Sequence, residues 1–275
     1  MTDRSTGLPY AEVIGDPIAH SKSPVIHNFW LEKLGIKAEY RMFHVKPDEL
    51  EGYIASRRDD PDWRGCNVTI PHKLAVMDHV SDPGNVHASI GAMNTVAKAE
   101  NGELFGTNTD AGGFFAPISD VPLKNQDVIV IGAGGAAQAV LFALSRIEVG
   151  SVTIINRNVL KASALLARFG LKGQALEHGS ALPPARLLVN ASALGMKGQD
   201  ELIVDLSPLP DDAIVYDLVY APLKTSLLKA ARARGLETID GLSMLIGQAA
   251  VAFEIFFDQA PPLEHDELLR KLLLK

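Results

Sequence analysis

Apolar and polar positions follow two rhythms along this chain: short apolar runs suited to buried strands, and longer stretches with helical spacing. AEVIG (11–15) predicts a short buried strand. PVIHNFWLEKLG (24–35) has helical spacing, with Pro24 in the first turn and Gly35 as the stop. AEYRMFHV (38–45) predicts a strand, PDELEGYIAS (47–56) a helix, and GCNVTI (65–70) a strand ending at Pro71. MNTVAKAENGELFGTN (93–108) predicts a hairpin turning at Asn101-Gly102.

Beyond TDAGGFFAPI the alternation becomes regular. DVIVIG (127–132), AAQAVLFALSRI (136–147), SVTIIN (151–156), VLKASALLARFG (159–170), RLLVNAS (186–192) and AIVYDLVY (213–220) predict strands and helices of a parallel, doubly wound sheet. Helices over 226–235, 242–257 and 261–275 close the chain. The change of pattern near residues 105–112 marks a boundary, and the last helices are expected to return to the first half. The expected architecture is two-domain α/β. An N-terminal open α/β substrate domain takes residues 1–108 plus 242–275, and a Rossmann-type doubly wound domain takes 109–241.

Composition narrows the function. Hydrophobic residues make up 47 % and charged residues 21 % of the 275, enough for a normal core. A net charge of −7 argues against a nucleic-acid partner, while local cations can still hold a small anion. The single cysteine, Cys66, allows no internal disulfide or cysteine-rich metal site and suits a reducing, cytoplasmic compartment. MTDRSTGLPYAEV lacks the apolar core of a signal peptide. VIVIGAGGAAQAVLFALS has nearly the length of a membrane span, but GAGG and Gln138 at its centre predict strand, turn and helix instead.

Gly132, Ala133, Gly134, Gly135, Ala136 and Ala137 fit G-x-G-x-x-[G/A] between a strand and a helix. In such a dinucleotide-binding turn the first glycine makes the tight bend and the second admits the pyrophosphate. The third, small residue lets helix and strand pack. The next strand ends in Asn156, Arg157 and Asn158, with Lys161 a turn later and no carboxylate for a ribose hydroxyl. Cations there favour NADP, although ordinary solvated charges are the plainer reading.

The first half carries polar islands at HSKSPVIHN (20–28), GCNVTIPHK (65–73), and GAMNTV (91–96) with GTNTDAGG (106–113), each expected after a strand. His20 and His27 lie seven residues apart without a third ligand, so no metal site is expected, and the serines lack a G-x-S-x-G elbow. Ser23 before Pro24 reads as a helix N-cap. With Ser21 it offers two hydroxyls to a carboxylate, capping alone being the plainer reading. Asn67, Thr69, Asn94 and Asn108 are neutral hydrogen-bonders suited to a polyhydroxylated ligand. Lys73 and Asp110 are the candidate proton-transfer pair. Reducing a ketone creates an alkoxide, which an ammonium oriented by a carboxylate can stabilise and protonate. An unrelated pair of surface charges remains the alternative.

These motifs, together with N-R-N (156–158), N-A-S-A-L-G-M (190–196), Y-D-L-V-Y-A-P-L-K-T (216–225) and G-L-S-M-L-I-G-Q-A (241–249), resemble the shikimate dehydrogenase family nearly end to end. The resemblance implies a substrate domain and an NADP domain that reversibly reduce 3-dehydroshikimate to shikimate. It implies that Ser21 and Ser23 hold the substrate carboxylate and that Asn67, Thr69, Asn94, Asp110 and Gln248 contact ring hydroxyls, with Tyr220 nearby. Lys73 and Asp110 become the catalytic pair, and Gly132 to Ala137 hold the pyrophosphate. Asn156, Arg157, Asn158 and Lys161 line the 2′-phosphate site, and Gly241 and Met244 lie by the nicotinamide. Gln138, Asn158 and FEIFFD (253–258) depart from the commonest family pattern. The rival readings are a quinate/shikimate dehydrogenase using NAD or both cofactors, and a non-catalytic sensor of dinucleotide or shikimate. The methylenetetrahydrofolate dehydrogenase group leaves the S-x-S-P and N-T-D motifs unexplained. A monomer or homodimer is expected.

Overall fold

The computed structural model describes residues 7–274. Residues 1–6, the start of the segment that reads as lacking a signal peptide, and Lys275, the end of the stretch 261–275 predicted as a helix, lie outside the described residues. The described chain forms two compact units. Residues up to Thr109 and from Gln248 onward make one, and Asp110–Gly247 makes the other.

In chain order the first unit holds β1 (Tyr10–Gly15), α1 (Ser23–Leu34), β2 (Glu39–His44), α2 (Leu50–Arg58), β3 (Trp63–Val68), α3 (Val86–Ser89), β4 (Thr95–Lys98) and β5 (Leu104–Thr107). Its sheet has the order β2-β1-β3-β4-β5. β1 pairs in parallel with β2 and β3, whereas β4 runs antiparallel to both β3 and β5. The β4–β5 hairpin turns where Asn101-Gly102 predicts it, with Gly102 at φ +82°. Gly35 ends α1 in the left-handed conformation, satisfying carbonyls of the last turn.

The second unit begins with α4 (Asp110–Phe115). Then come β6 (Val128–Ile131), α5 (Gly135–Arg146), β7 (Val152–Asn156), α6 (Val159–Arg168), β8 (Gly173–Glu177), β9 (Leu187–Asn190), β10 (Ile214–Asp217), α7 (Ser226–Ala233) and β11 (Glu237–Ile239). All pairs in its sheet are parallel, in the order β11-β10-β9-β6-β7-β8. The chain winds outward from β6 in one direction and from β9 in the other. The strand order therefore reverses between β6 and β9, where such sheets bind ligands at their carboxyl edge. Alternate strand residues feed cores on both faces, Val128 and Val130 to one and Ile129 and Ile131 to the other. The near-membrane-length stretch is thus β6, a turn and α5. Among the described residues no helix is long and apolar enough to cross a membrane.

α8 (Gly241–Phe257) contributes to both units, and α9 (Asp266–Leu273) closes the chain. Ala252 and Phe256 of α8 pack on Ala11, Val13, Tyr40 and Ala97 of the first sheet. Burying a large side chain such as Phe256 contributes about 1.5–3 kcal/mol, which anchors the C-terminal half of α8 to that sheet.

Candidate functional site

Because β4 is antiparallel to β3, its amino end meets the carboxyl ends of β1, β3 and β5 at one edge of the first sheet. Asn94 therefore precedes its strand rather than following one, a correction to the expected placement. The loops after β1 and β3 are stitched together, Thr69 N donating to Ile14 O at 3.0 Å and Asp16 N to Ile70 O at 3.0 Å. A Cβ on Gly15 would lie 2.6 Å from Thr69 Cγ2 and 2.9 Å from Ile70 O, so the stitch needs glycine. Two further bonds fix the backbone at Lys73. Met93 N donates to its carbonyl at 2.8 Å, and buried His72 places Nε2 2.7 Å from Val45 O. A carbonyl only accepts, so that nitrogen carries the proton.

Ser21 and Ser23 share one turn, Ser23 N donating to Ser21 Oγ at 3.3 Å. Lys22, not Ser23, is the N-cap residue of α1, and its side chain makes no capping bond. The expected cap is off by one position because Ser23 already has helical geometry. Lys22 instead reaches Leu273 O at the end of α9, at 2.7 Å.

Asn67, Asn94 and Gln248 join one buried network with three residues the sequence reading did not select. Tyr40 Oη donates to Asn67 Oδ1 at 2.6 Å, and Asn67 Nδ2 to Thr95 Oγ1 at 3.1 Å. Thr95 Oγ1 donates to Asn94 Oδ1 at 3.2 Å, which also accepts from Thr109 N at 2.7 Å. Asn94 Nδ2 donates to Thr109 Oγ1 at 2.8 Å and Gln248 Oε1 at 3.3 Å. Thr95 stands directly opposite Asn67 in the β3–β4 register, a relation no linear spacing reveals. Asn108 donates to Ala92 O at 2.7 Å and so braces the same edge. The ring of Tyr40 lies flat on His27, centroids 4.0 Å apart. Neither ring nitrogen of His27 has a hydrogen-bond partner, and burial pushes its pKa down to about 3. It packs as a neutral aromatic.

Asp110 is buried at the start of α4, the first residue of the second unit. Gly132 extends β6, its N–H donating to Ile155 O at 2.9 Å, and turns with φ +111°. A Cβ there would sit 2.8 Å from Ala191 O. Gly134, the N-cap residue of α5, is exposed, and a Cβ on it would meet nothing within 4 Å. The open space before the helix N-terminus fits a pyrophosphate, which that end attracts through its unpaired N–H groups. Ala133 and Ala137 are buried between helix and strand, with Gly135 and Ala136 half-buried in the first turn. At the end of β7, Asn156 Nδ2 donates to Asn158 O at 3.0 Å, and Asn158 Oδ1 caps α6 by accepting from Lys161 N at 2.9 Å. Arg157 and Lys161 are exposed cations at this point. The donor set matches a phosphorylated ribose.

The loops after β9 and β10 are held by Asp217. Its buried carboxylate accepts from Thr225 Oγ1 at 2.6 Å, Asn190 Nδ2 at 2.8 Å and Val219 N at 3.0 Å. Burial raises its pKa and these bonds partly oppose the rise. Tyr220, one residue past Val219, is half-buried, which raises its phenol pKa. Gly241 opens α8, and Met244 lies in the second unit's core. Among the described residues no cluster of three His, Cys, Asp or Glu could hold a metal.

Three family models match the chain: the shikimate dehydrogenase substrate binding domain over residues 13–96, shikimate/quinate 5-dehydrogenase over 117–182, and the shikimate 5′-dehydrogenase C-terminal domain over 241–267. The shikimate dehydrogenase (NADP(+)) of Sphingopyxis alaskensis is 64 % identical over 266 residues, 97 % of each chain. That of Azorhizobium caulinodans is 41 % identical, covering 95 % of this chain and 94 % of its own. The crystal structure of shikimate 5-dehydrogenase from Thermus thermophilus, in complex with NADP(H) and shikimate, superposes with a TM-score of 0.85 at 36 % identity. It covers 97 % of this chain and 100 % of its own.

Proposed function

The chain belongs to the shikimate dehydrogenase family, and from that premise we propose the role each site residue takes. The protein is an NADP-dependent oxidoreductase that interconverts 3-dehydroshikimate and shikimate, a step of aromatic amino-acid biosynthesis. NADP, when bound, gives or accepts the hydride at the carbon that alternates between carbinol and ketone. Lys73 supplies the proton to the ketone oxygen during reduction and removes it during oxidation. Asp110 orients the lysine and contacts a ring hydroxyl. Ser21 and Ser23 donate to the substrate carboxylate at the start of α1, and Asn67, Thr69, Asn94 and Gln248 read the ring hydroxyls. Tyr220 lies against the substrate.

The cofactor is held by Gly132 to Ala137 at the pyrophosphate and by Asn156, Arg157, Asn158 and Lys161 at the 2′-phosphate. Gly241 and Met244 complete the nicotinamide side. The observation that carries this reading is the buried network of neutral carboxamides and hydroxyls whose member Asn94 adjoins Met93, the residue pinning Lys73. A ligand bearing several hydroxyls is the chemistry that such groups, which both donate and accept, are suited to bind. We place the enzyme in the cytoplasm, as a monomer or homodimer without a nucleic-acid partner; one cysteine and a net charge of −7 support that assignment.

A two-by-two assay of shikimate or quinate with NADP+ or NAD+, following the reduced nicotinamide, tests the reading. Shikimate with NADP+ is expected to give the highest kcat/KM. Quinate with NAD+ in first place would overturn both the substrate and the cofactor.

A further inference from the structure

The buried network of the first unit has a direction, and backbone groups set it. The Thr109 N–H can only donate, so the atom of Asn94 facing it must be Oδ1. Asn94 Nδ2 then faces Thr109 Oγ1 and Gln248 Oε1. The Thr95 hydroxyl has one hydrogen. Having given it to Asn94 Oδ1, it can only accept from Asn67, which turns Nδ2 of Asn67 toward Thr95. The backbone carbonyl of Asn94, 3.4 Å from the same nitrogen, favours that sense more weakly. Asn67 Oδ1 is thereby aimed at the Tyr40 hydroxyl, the donor that completes the chain. At 2.6 Å this is the shortest bond of the Asn67 carboxamide, and it holds the oxygen end.

The Tyr40 ring is itself held firmly. It is 3 % exposed, lies within 5° of parallel on His27, and is flanked by Phe256. Its hydroxyl stays protonated because burial raises its pKa far above the ordinary range. We propose that Tyr40 is a positioning residue for substrate recognition, acting directly on Asn67 to hold its carboxamide in the donor–acceptor sense that Thr95 sets from the other side. A flipped carboxamide would offer a ring hydroxyl a donor where it now meets an acceptor. The inference deepens the functional reading above and rests on it.

Steady-state kinetics of the full chain with shikimate and NADP+ provide the test. Tyr40→Phe removes only the hydroxyl. It is expected to raise KM for shikimate about fivefold or more, the scale of one buried hydrogen bond, and to leave KM for NADP+ unchanged. In an Asn67→Ala background the same substitution should add no further rise, because the group through which Tyr40 acts is gone. Thr95→Val should mimic Tyr40→Phe, while Thr95→Ser, which keeps the hydroxyl, should behave as wild type. The inference is overturned if KM for shikimate is unaltered in Tyr40→Phe, if both KM values rise equally, or if the Tyr40 and Asn67 effects add. Should Tyr40→Phe not fold, the Thr95 pair decides, and indistinguishable Val and Ser variants overturn the inference. A wild type without shikimate turnover would bring down the functional reading and this inference together. An active wild type with unresponsive variants would bring down this inference alone.

Discussion

The two units prepare for their ligands by opposite means. The first presents side chains that are buried and mutually hydrogen-bonded, such as Asn67 at 4 % and Asn94 at 2 % exposure, on a mixed sheet. It also buries an ion pair, Arg57 Nε to Glu12 Oε1 at 2.9 Å. At the pyrophosphate the second presents backbone, a glycine turn and a helix N-terminus on an all-parallel sheet, with the exposed charged side chains of Arg157 and Lys161 beside it. A network of satisfied polar groups is rigid and specific but sensitive to the loss of any atom. A backbone cradle has no side chain to lose, and fails only where its geometry is refused. Substitutions should therefore act in a graded way at the cofactor and steeply at the substrate.

The steepest expected loss is at Lys73. Lys73→Ala removes the proton-transfer group, which should lower kcat roughly a hundredfold to ten-thousandfold. Shikimate binding, measured by calorimetry, should survive, because Asn67, Asn94 and Gln248 keep the hydrogen bonds that tie them to Thr95 and Thr109. Unchanged turnover would remove Lys73 from the chemistry.

Acid should separate the units next. His27 is neutral in the fold, with its pKa lowered from 6.5 to about 3. The unfolded chain takes up the proton first, so this contribution to stability is complete above pH 6.5 and is lost as pH falls toward about 3. The loss approaches about 1.4 kcal/mol per pH unit. Asp217 has the opposite sign. Its pKa is raised, so its contribution is complete below the ordinary value of 3.8 and is lost as pH rises through the raised value. On acidification the first unit should open before the second. Amide exchange at about pH 7 and about pH 5, either side of the ordinary histidine pKa, would show protection falling in α1 and β2 ahead of β6 and β10. His27→Leu should flatten the trend. Equal loss of protection in both units would contradict the contrast.

What could be read from the sequence follows the same division. The glycine turn is a local device, with strand, bend and helix contiguous, so its residues declare themselves. The doubly wound sheet is legible for a similar reason: its central strands are continuous apolar runs. β8 (GQALE) and β11 (ETI) escape the pattern because they are short, half-exposed edge strands without an apolar run. The substrate network is legible only in part. Asn67 and Asn94 stand out as polar residues in apolar surroundings. Thr95 becomes a partner only once β3 and β4 are in register, and Tyr40 reads as one more aromatic in a strand. Asp217 and Thr225 sit in a recognisable motif, but their bond across the loop after β10 is a product of the fold. The α1 cap is displaced because Ser-Pro fits the capping rule locally, whereas the chain enters the helix one residue earlier.

A Cβ at Gly132 tests the one place where the backbone cradle should be brittle. Alanine would meet Ala191 O at 2.8 Å while being forced to φ +111°. Strain of about 1–3 kcal/mol is expected, expressed as roughly a five- to hundredfold rise in KM for NADP+ with shikimate affinity unchanged. At Gly134, where a Cβ meets only open space, alanine should leave the unfolding midpoint unmoved and weaken NADP+ alone. A Gly132→Ala variant that binds NADP+ normally would show that the cradle is less exacting than the network.

A salt-sensitive effect should come from Arg157, and it sharpens the contrast most directly. Its guanidinium is exposed, so its attraction for a phosphate is screened, and a charged hydrogen bond there should fall at the low end of about 1.5–3 kcal/mol. Arg157→Ala should therefore cost about tenfold in kcat/KM with NADP+, and little with NAD+, which has no 2′-phosphate to lose. Raising the salt concentration should shrink the NADP+ preference of the wild type toward that of the variant. The Tyr40 hydroxyl, buried beyond the reach of salt, should show no such dependence in KM for shikimate. Equal losses with NADP+ and NAD+ would mean that Arg157 does not read the 2′-phosphate. Cofactor choice would then lie in the capped turn at Asn158, and the second unit too would rely on side chains fixed by their neighbours.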